Sequence, residues 1–282
     1  MLSGIVVLDK PQGITSHDLV ARTRKALGTK KVGHAGTLDP MATGLMILGV
    51  NQGTKLLQYF TGQDKSYRAT IVLGRATSTD DAEGEITSEA DASAVTEEAI
   101  EQQIAKLRGE IMQVPATVSA IKVAGKRAHE LARAGQEFEL KARPVTISRF
   151  ERIGDVHKLG KLIEFEVEVD CSSGTYIRSL ARDLGSALAV GGHLSALRRT
   201  RIGKLDVSAA TAEASPERVI GLAKAAELVL PTIEVSQQDA VDLGFGRSLR
   251  LNLGEPTAAI WDGELVAVLD SGGKIFTGFP RD

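Results

Sequence analysis

A chain of 282 residues with 43% hydrophobic and 25% charged residues has an ordinary globular make-up, which excludes a wholly disordered or fibrous protein. Cys171 is the single cysteine, so an intrachain disulfide and CxxC metal or redox motifs are excluded, which suits a reducing compartment. The net charge of −2 hides a segregation of signs: residues 1–75 carry ten Lys/Arg against four Asp/Glu, residues 76–115 two against ten, residues 116–143 six against three, and residues 172–204 six against one.

The N-terminal apolar run GIVVL, residues 4–8, is broken by Asp9 and Lys10, too short for a signal peptide or a membrane span, and a cytoplasmic protein is expected. It reads as a buried strand ended by the turn residues Lys10-Pro11-Gln12-Gly13. Ser16 is placed to cap a helix over about residues 17–27, with Leu19, Val20, Thr23 and Leu27 on one stripe and Gly28 as its stop.

The stretch GHAGTLDPMATG, residues 33–44, joins an acid, a histidine and three glycines that permit positive φ or close backbone approach. Pro40 biases Asp39 towards an extended conformation. Local sequence leaves two readings of Asp39 open: a helix N-cap with Pro40 at the first helical position, or a functional acid on a bent segment. The run LMILGV that follows anchors the loop in the core, and a short helix is expected from Thr54 to Phe60.

Lys65 opens a strand with Tyr67, Ala69, Ile71 and Leu73 on one face. Residues 76–98 read as an exposed acidic loop entering a helix near Thr96, which buries Ile100, Ile104 and Leu107. Residues 114–135 combine proline, a Gly turn and several basic residues, and read as an excursion from the core. Residues 161–171 alternate Phe165, Val167, Val169 and Cys171 against Glu164, Glu166, Glu168 and Asp170, the pattern of a half-buried antiparallel strand.

A helix follows over YIRSLARDLGSAL, with Arg178 in its first turn, where the macrodipole disfavours a cation and an acidic or phosphate partner is expected. LRRTRIGKLDV, residues 197–207, is another basic stretch, and if the basic segments share a face they offer a footprint for a polyanion. Beyond Pro231 the short runs TAAIW, ELVAVLD and KIFTGF read as a small β-rich module, which at that size leans on the main domain for stability.

Taken together and in order, GIVVLDKPQGITS, GHAGTLDPMATG, DKSYRA, VSAIKVAGKRA and CSSGTYIRSLARDLG resemble the TruB family of bacterial tRNA pseudouridine synthases over roughly residues 4–203. Neither GxxxxGK[ST] nor GxGxxG occurs in the Gly33–Gly44 loop, which argues against a nucleotide-binding enzyme. The resemblance implies an α+β pseudouridine-synthase fold, with a mixed, mainly antiparallel sheet flanked by helices. It implies a catalytic domain over residues 1–230 with an RNA-gripping insertion at 115–143, and a short C-terminal PUA-like module over 231–282.

The implied function is isomerisation of uridine 55 to pseudouridine in the TΨC loop of tRNA, after base flipping. The alternative is a non-catalytic tRNA-binding or folding protein using the same surface. The rearrangement cuts N1–C1′ and rejoins through C5 with no redox change, so no metal or organic cofactor is implied. The resemblance places the nucleophilic carboxylate at Asp39, with Tyr67 and Arg178 as catalytic partners, Arg178 pairing the aspartate. It places Lys10, His34 and Tyr176 at the substrate, His34 filling the space of the flipped nucleotide, and Lys122, Lys126, Arg127 and Arg133 at phosphates of the T-arm stem-loop. The insertion departs from the family at Ala116, Val118 and His129, where a second proline and aromatics are usual. No protein partner or membrane is implied, and a monomer is expected.

Overall fold

The computed structural model describes residues 2–117, 122–123, 126–127 and 138–280. By backbone proximity the chain forms two units, residues 1–63 with 201–282, and residues 64–200. Among the described residues no helix is long and apolar enough to cross a membrane.

The first unit opens with β1 (Gly4–Lys10), whose Ile5, Val6 and Leu8 are all buried, which explains a continuous rather than alternating apolar run. α1 (Ser16–Ala26) follows, then β2 (Val32–Ala35) and β3 (Thr43–Val50). β1 and β2 both pair antiparallel with β3, Lys10 lying opposite Gly44 and His34 opposite Leu48. The cap of α1 is Thr15, not Ser16: Thr15 and Asp18 bond reciprocally as a capping box. The expected helix after β3 is a 3-10 stretch, Asn51–Leu56, running into α2 (Leu57–Thr61). Gly53 is needed there, since a Cβ would stand 1.7 Å from the Gly4 carbonyl oxygen.

The second unit carries β4 (Lys65–Leu73), β5 (Arg75–Thr77), β6 (Ile86–Glu89), α3 (Glu97–Lys106) and β7 (Gly109–Gln113). Next come the short pair β8 (Lys122–Val123) and β9 (Lys126–Arg127), then β10 (Arg143–Leu159), β11 (Leu162–Cys171), α4 (Ile177–Ala187) and β12 (Gly192–Ile202). Its main sheet runs β12-β4-β11-β10-β7. The alternation of β11 has its expected effect: Phe165, Val167, Val169 and Cys171 are buried, while Glu166 and Glu168 meet Arg68 and Arg149 outside. The acidic stretch 76–98 departs from the expected exposed loop. It holds the β5–β6 hairpin, and Asp80 and Asp81 at its bend are buried.

The chain then returns to the first unit through β13 (Leu205–Asp206), β14 (Ile220–Gly221) beside β1, and α5 (Leu222–Glu227). β15 (Thr232–Glu234) and α6 (Gln237–Gly244) precede β16 (Thr257–Trp261), β17 (Glu264–Leu269) and β18 (Ile275–Gly278). These form a four-stranded sheet in which β15 and β16 are parallel and the rest antiparallel. The module leans on the N-terminal strands as its size requires: Ala258, Leu265, Val268 and Phe279 pack in one core with Ile5, Val7, Leu45 and Ile47. Lys55 adds a hydrogen bond to the Gly278 carbonyl at 2.6 Å.

Candidate active site

In the first unit the segment between β2 and β3 holds Asp39 on a turn, not at a helix start. The Ala42 amide donates to the Asp39 carbonyl at 3.1 Å across Pro40 and Met41, and no helix follows. Both flanks of Asp39 are pinned. On one side the buried Ser16 hydroxyl donates to the Leu38 carbonyl and accepts from the Leu38 amide, each at 2.9 Å. On the other, the Pro40 carbonyl accepts from the Gly13 amide at 2.9 Å and from the Lys10 ammonium at 3.4 Å.

Lys10 has no solvent exposure, and its ammonium also donates to Ile14 at 2.7 Å and Pro11 at 3.1 Å. The ammonium therefore ties main-chain carbonyls of the β1–α1 loop to the Asp39 turn. His34 sits half-buried on β2, its ring edge-on to that of His17 with centroids 5.6 Å apart. Gly36 and Gly44 take φ of +80° and +105°, which accounts for two of the glycines that frame the loop.

In the second unit Tyr67 lies on the apolar face of β4, 8% exposed, opposite Val169 of β11. Arg178 is 4% exposed at the start of α4. Its guanidinium stands 3.5 Å from the Asp81 carboxylate and donates to the Thr79 carbonyl at 2.6 Å, an acidic partner of the kind its helix position calls for. The loop bearing Asp81 is tightly built: the Thr77 hydroxyl donates to the Asp81 carbonyl, and a Cβ at Gly84 would stand 2.3 Å from the Thr79 hydroxyl.

Tyr176, just before α4, is clamped through its backbone. Its amide donates to the Gln113 side-chain oxygen at 2.9 Å, and its carbonyl accepts from the Gln113 amide group at 3.1 Å. Sequence reasoning missed Ser16, Asp80, Asp81, Gln113 and Arg182. Only Ser16 left a usable signal: the T-x-x-D box at Thr15 takes over capping and releases the serine for another task.

The basic stretch 197–207 is not a surface footprint throughout, because Arg199 is only 1% exposed. It lies near Lys65, itself 6% exposed, and burial and then the Arg199 charge push the Lys65 ammonium down to about 8. Burial pushes the neighbouring Cys171 thiol up to about 11, which makes it a poor nucleophile.

In the insertion, β8 and β9 pair Lys122 with Arg127 and Val123 with Lys126. Arg133, with Val118 and His129, lies outside the described residues. Ala116 is fully buried, where a larger ring would need space. Among the described residues no cluster of three or more His, Cys, Asp or Glu could hold a metal ion.

The chain is similar to known proteins over most of its length. Residues 24–177 match the model of the TruB family pseudouridylate synthase N-terminal domain, and residues 178–217 that of the tRNA pseudouridylate synthase B C-terminal domain. The chain is 52% identical to a tRNA pseudouridine synthase B of Arthrobacter sp. (strain FB24), over 97% of this chain and 94% of the other. It is 56% identical to one of Mycobacterium avium (strain 104), over 86% and 75%. Among solved structures, an H/ACA RNP bound to a substrate RNA containing 2′-deoxyuridine aligns with TM-score 0.70 and 25% identity, covering 99% of this chain and 86% of that one. The chain belongs to the TruB family, the pseudouridine synthases that isomerise uridine to pseudouridine in tRNA.

Proposed function

We propose that the uridine is the one at position 55 in the TΨC loop of tRNA, and that Asp39 is the nucleophile that opens its N1–C1′ bond. The observation that carries this is the fixing of the Asp39 turn on both sides, by Ser16 at Leu38 and by Gly13 and Lys10 at Pro40. A carboxylate so held acts with little loss of freedom at the moment of reaction. An Asp39 carboxylate oxygen bonds to C1′ as the N1–C1′ bond breaks, the base turns, C5 bonds to C1′ as the Asp39–C1′ bond breaks, the C5 proton leaves and N1 gains one.

Tyr67 stacks on the base and moves a proton during the rearrangement, and Arg178 pairs the charge of the catalytic carboxylate. His34 fills the space of the flipped nucleotide, Tyr176 lines the substrate, and Lys10 serves the substrate by holding the Asp39 turn. The insertion at 115–143 grips the T-arm stem-loop, with Lys122, Lys126, Arg127 and Arg133 on phosphates. The register that sets Lys122 beside Arg127 supports that reading. Residues 1–230 act as the catalytic domain and 231–282 as a PUA-like module. The enzyme works as a cytoplasmic monomer without cofactor.

The test is tritium release from C5-labelled uridine in a T-arm stem-loop, with wild type, Asp39→Asn and Asp39→Ala. Release by wild type alone is expected, by a margin of at least about 10³-fold, with RNA binding kept by both variants. Release by Asp39→Ala at near wild-type rate would falsify the assignment.

A further inference from the structure

The bend of the β5–β6 hairpin presents two successive buried carboxylates, Asp80 at 8% and Asp81 at 4% exposure. Two arginines one turn apart on α4 face them, and the pairing is divided. Arg178 stands 3.5 Å from Asp81, and Arg182 stands 3.2 Å from Asp80. Arg182 has its other donors engaged as well, with Asp183 at 2.9 Å and the Val114 carbonyl at 2.7 Å.

Asp80 cannot turn away from this cluster. Its backbone sits at φ +61° and its carbonyl accepts from the Leu194 amide at 3.1 Å. Burial holds its carboxyl above the usual carboxylate range, opposed first by Arg182 and then by Arg178. Both arginines thus act on Asp80. If Arg182 is removed, Arg178 becomes the cation that this anion draws on.

We propose that Arg182 is a positioning residue for the isomerisation: by neutralising Asp80 it keeps the Arg178 guanidinium directed to Asp81 and to the catalytic carboxylate. This rests on the reading of Arg178 as catalytic. Arg182 touches no reacting atom and acts through the charge it cancels. A second consequence is that the requirement for Arg182 disappears when Asp80 is made neutral. Asn is suited to that place, since it tolerates left-handed backbone and copies the shape of Asp.

The experiment measures single-turnover tritium release from C5-labelled uridine in full-length tRNA, together with RNA affinity. Arg182→Met is expected to slow release by about 30-fold with affinity changed by less than about 3-fold, and Asp80→Asn to stay within about 3-fold of wild type. The double variant Asp80→Asn/Arg182→Met is expected to recover to within about 5-fold of wild type, a rescue that lost packing alone could not give. A double variant as slow as Arg182→Met, or an Arg182→Met enzyme at wild-type rate, overturns the proposal.

Arg182→Lys keeps the cation and tests the same point even if the Met variant does not fold: a rate within about 5-fold of wild type is expected, and a folded Lys variant slowed by about 30-fold overturns it. Arg178→Met separates the two readings. If it retains the wild-type rate, the catalytic reading of Arg178 fails and this proposal with it, while a slow Arg178→Met with no rescue overturns the role of Arg182 alone.

Discussion

The Asp39 turn and the Arg178 pocket are each fixed firmly, by opposite means. Around Asp39 the fixing contacts run to main-chain groups, from the Ser16 hydroxyl, the Gly13 amide and the Lys10 ammonium. Around Arg178 most run between charged side chains, Asp81 and Asp80 on the hairpin bend and Arg182 and Asp183 on α4, with the Thr79 and Val114 carbonyls accepting as well. The first design orders the backbone that carries a carboxylate, through hydrogen bonds at the residues on either side of it. The second holds a cation where water is scarce, which requires anions to offset its desolvation.

The widest separation between the two designs is expected from Asp81→Asn. It leaves the buried Arg178 with one carboxylate fewer, and breaking a buried pair from one side costs about 3–5 kcal/mol. Urea unfolding should show that loss as a lower midpoint with unchanged slope. A loss below about 1 kcal/mol would mean that the hairpin charges are not what holds the pocket.

Ser16→Ala probes the other design. Two hydrogen bonds at Leu38 are lost and a buried amide and carbonyl are left without the hydroxyl, a cost of about 1–3 kcal/mol. Tritium release should fall by about 10-fold because the Asp39 turn loosens, while RNA affinity stays unchanged. No charge is involved, so the loss in stability should be the same at low and high salt. A loss that shrinks with added salt would show that the Ser16 contacts at Leu38 are coupled to charge.

The same contrast explains what was legible in the sequence. The β1 run, the alternation of β11, the apolar stripe of α4 and the three C-terminal strands are set by periodicity over a few residues, and each forms where the pattern places it. Asp39, Tyr67 and Arg178 stood out through the resemblance. Their supports did not, because each lies far along the chain. Asp80 and Asp81 look like members of a solvated acidic loop until α4, about 100 residues later, supplies Arg178 and Arg182. Gln113 gains its role only when β7 ends beside Tyr176. Charge counts by segment misled for the same reason: buried Arg199 and the paired Arg178 and Arg182 add to the sum but do not all face a polyanion.

Lys65 gives the smallest effect and the finest test, because in the charge-built unit it is a buried cation with another cation, Arg199, beside it. Its ammonium is lowered from 10.5 to about 8 in the folded protein, by burial first and Arg199 second. Below about pH 8 both folded and unfolded chains carry the proton, and the penalty for burying it is present in full. Between about 8 and 10.5 the unfolded chain binds more protons than the folded one, so stability contributed at this site rises with pH. Lys65→Met has no such proton. The melting temperature of wild type minus that of Lys65→Met should therefore increase from pH 7.5 to pH 10, by roughly 2–4 °C for each kcal/mol relieved. A difference that stays flat over that range would show that the Lys65 ammonium holds its proton in the folded chain as firmly as in the unfolded one, with Asp64 offsetting burial and Arg199.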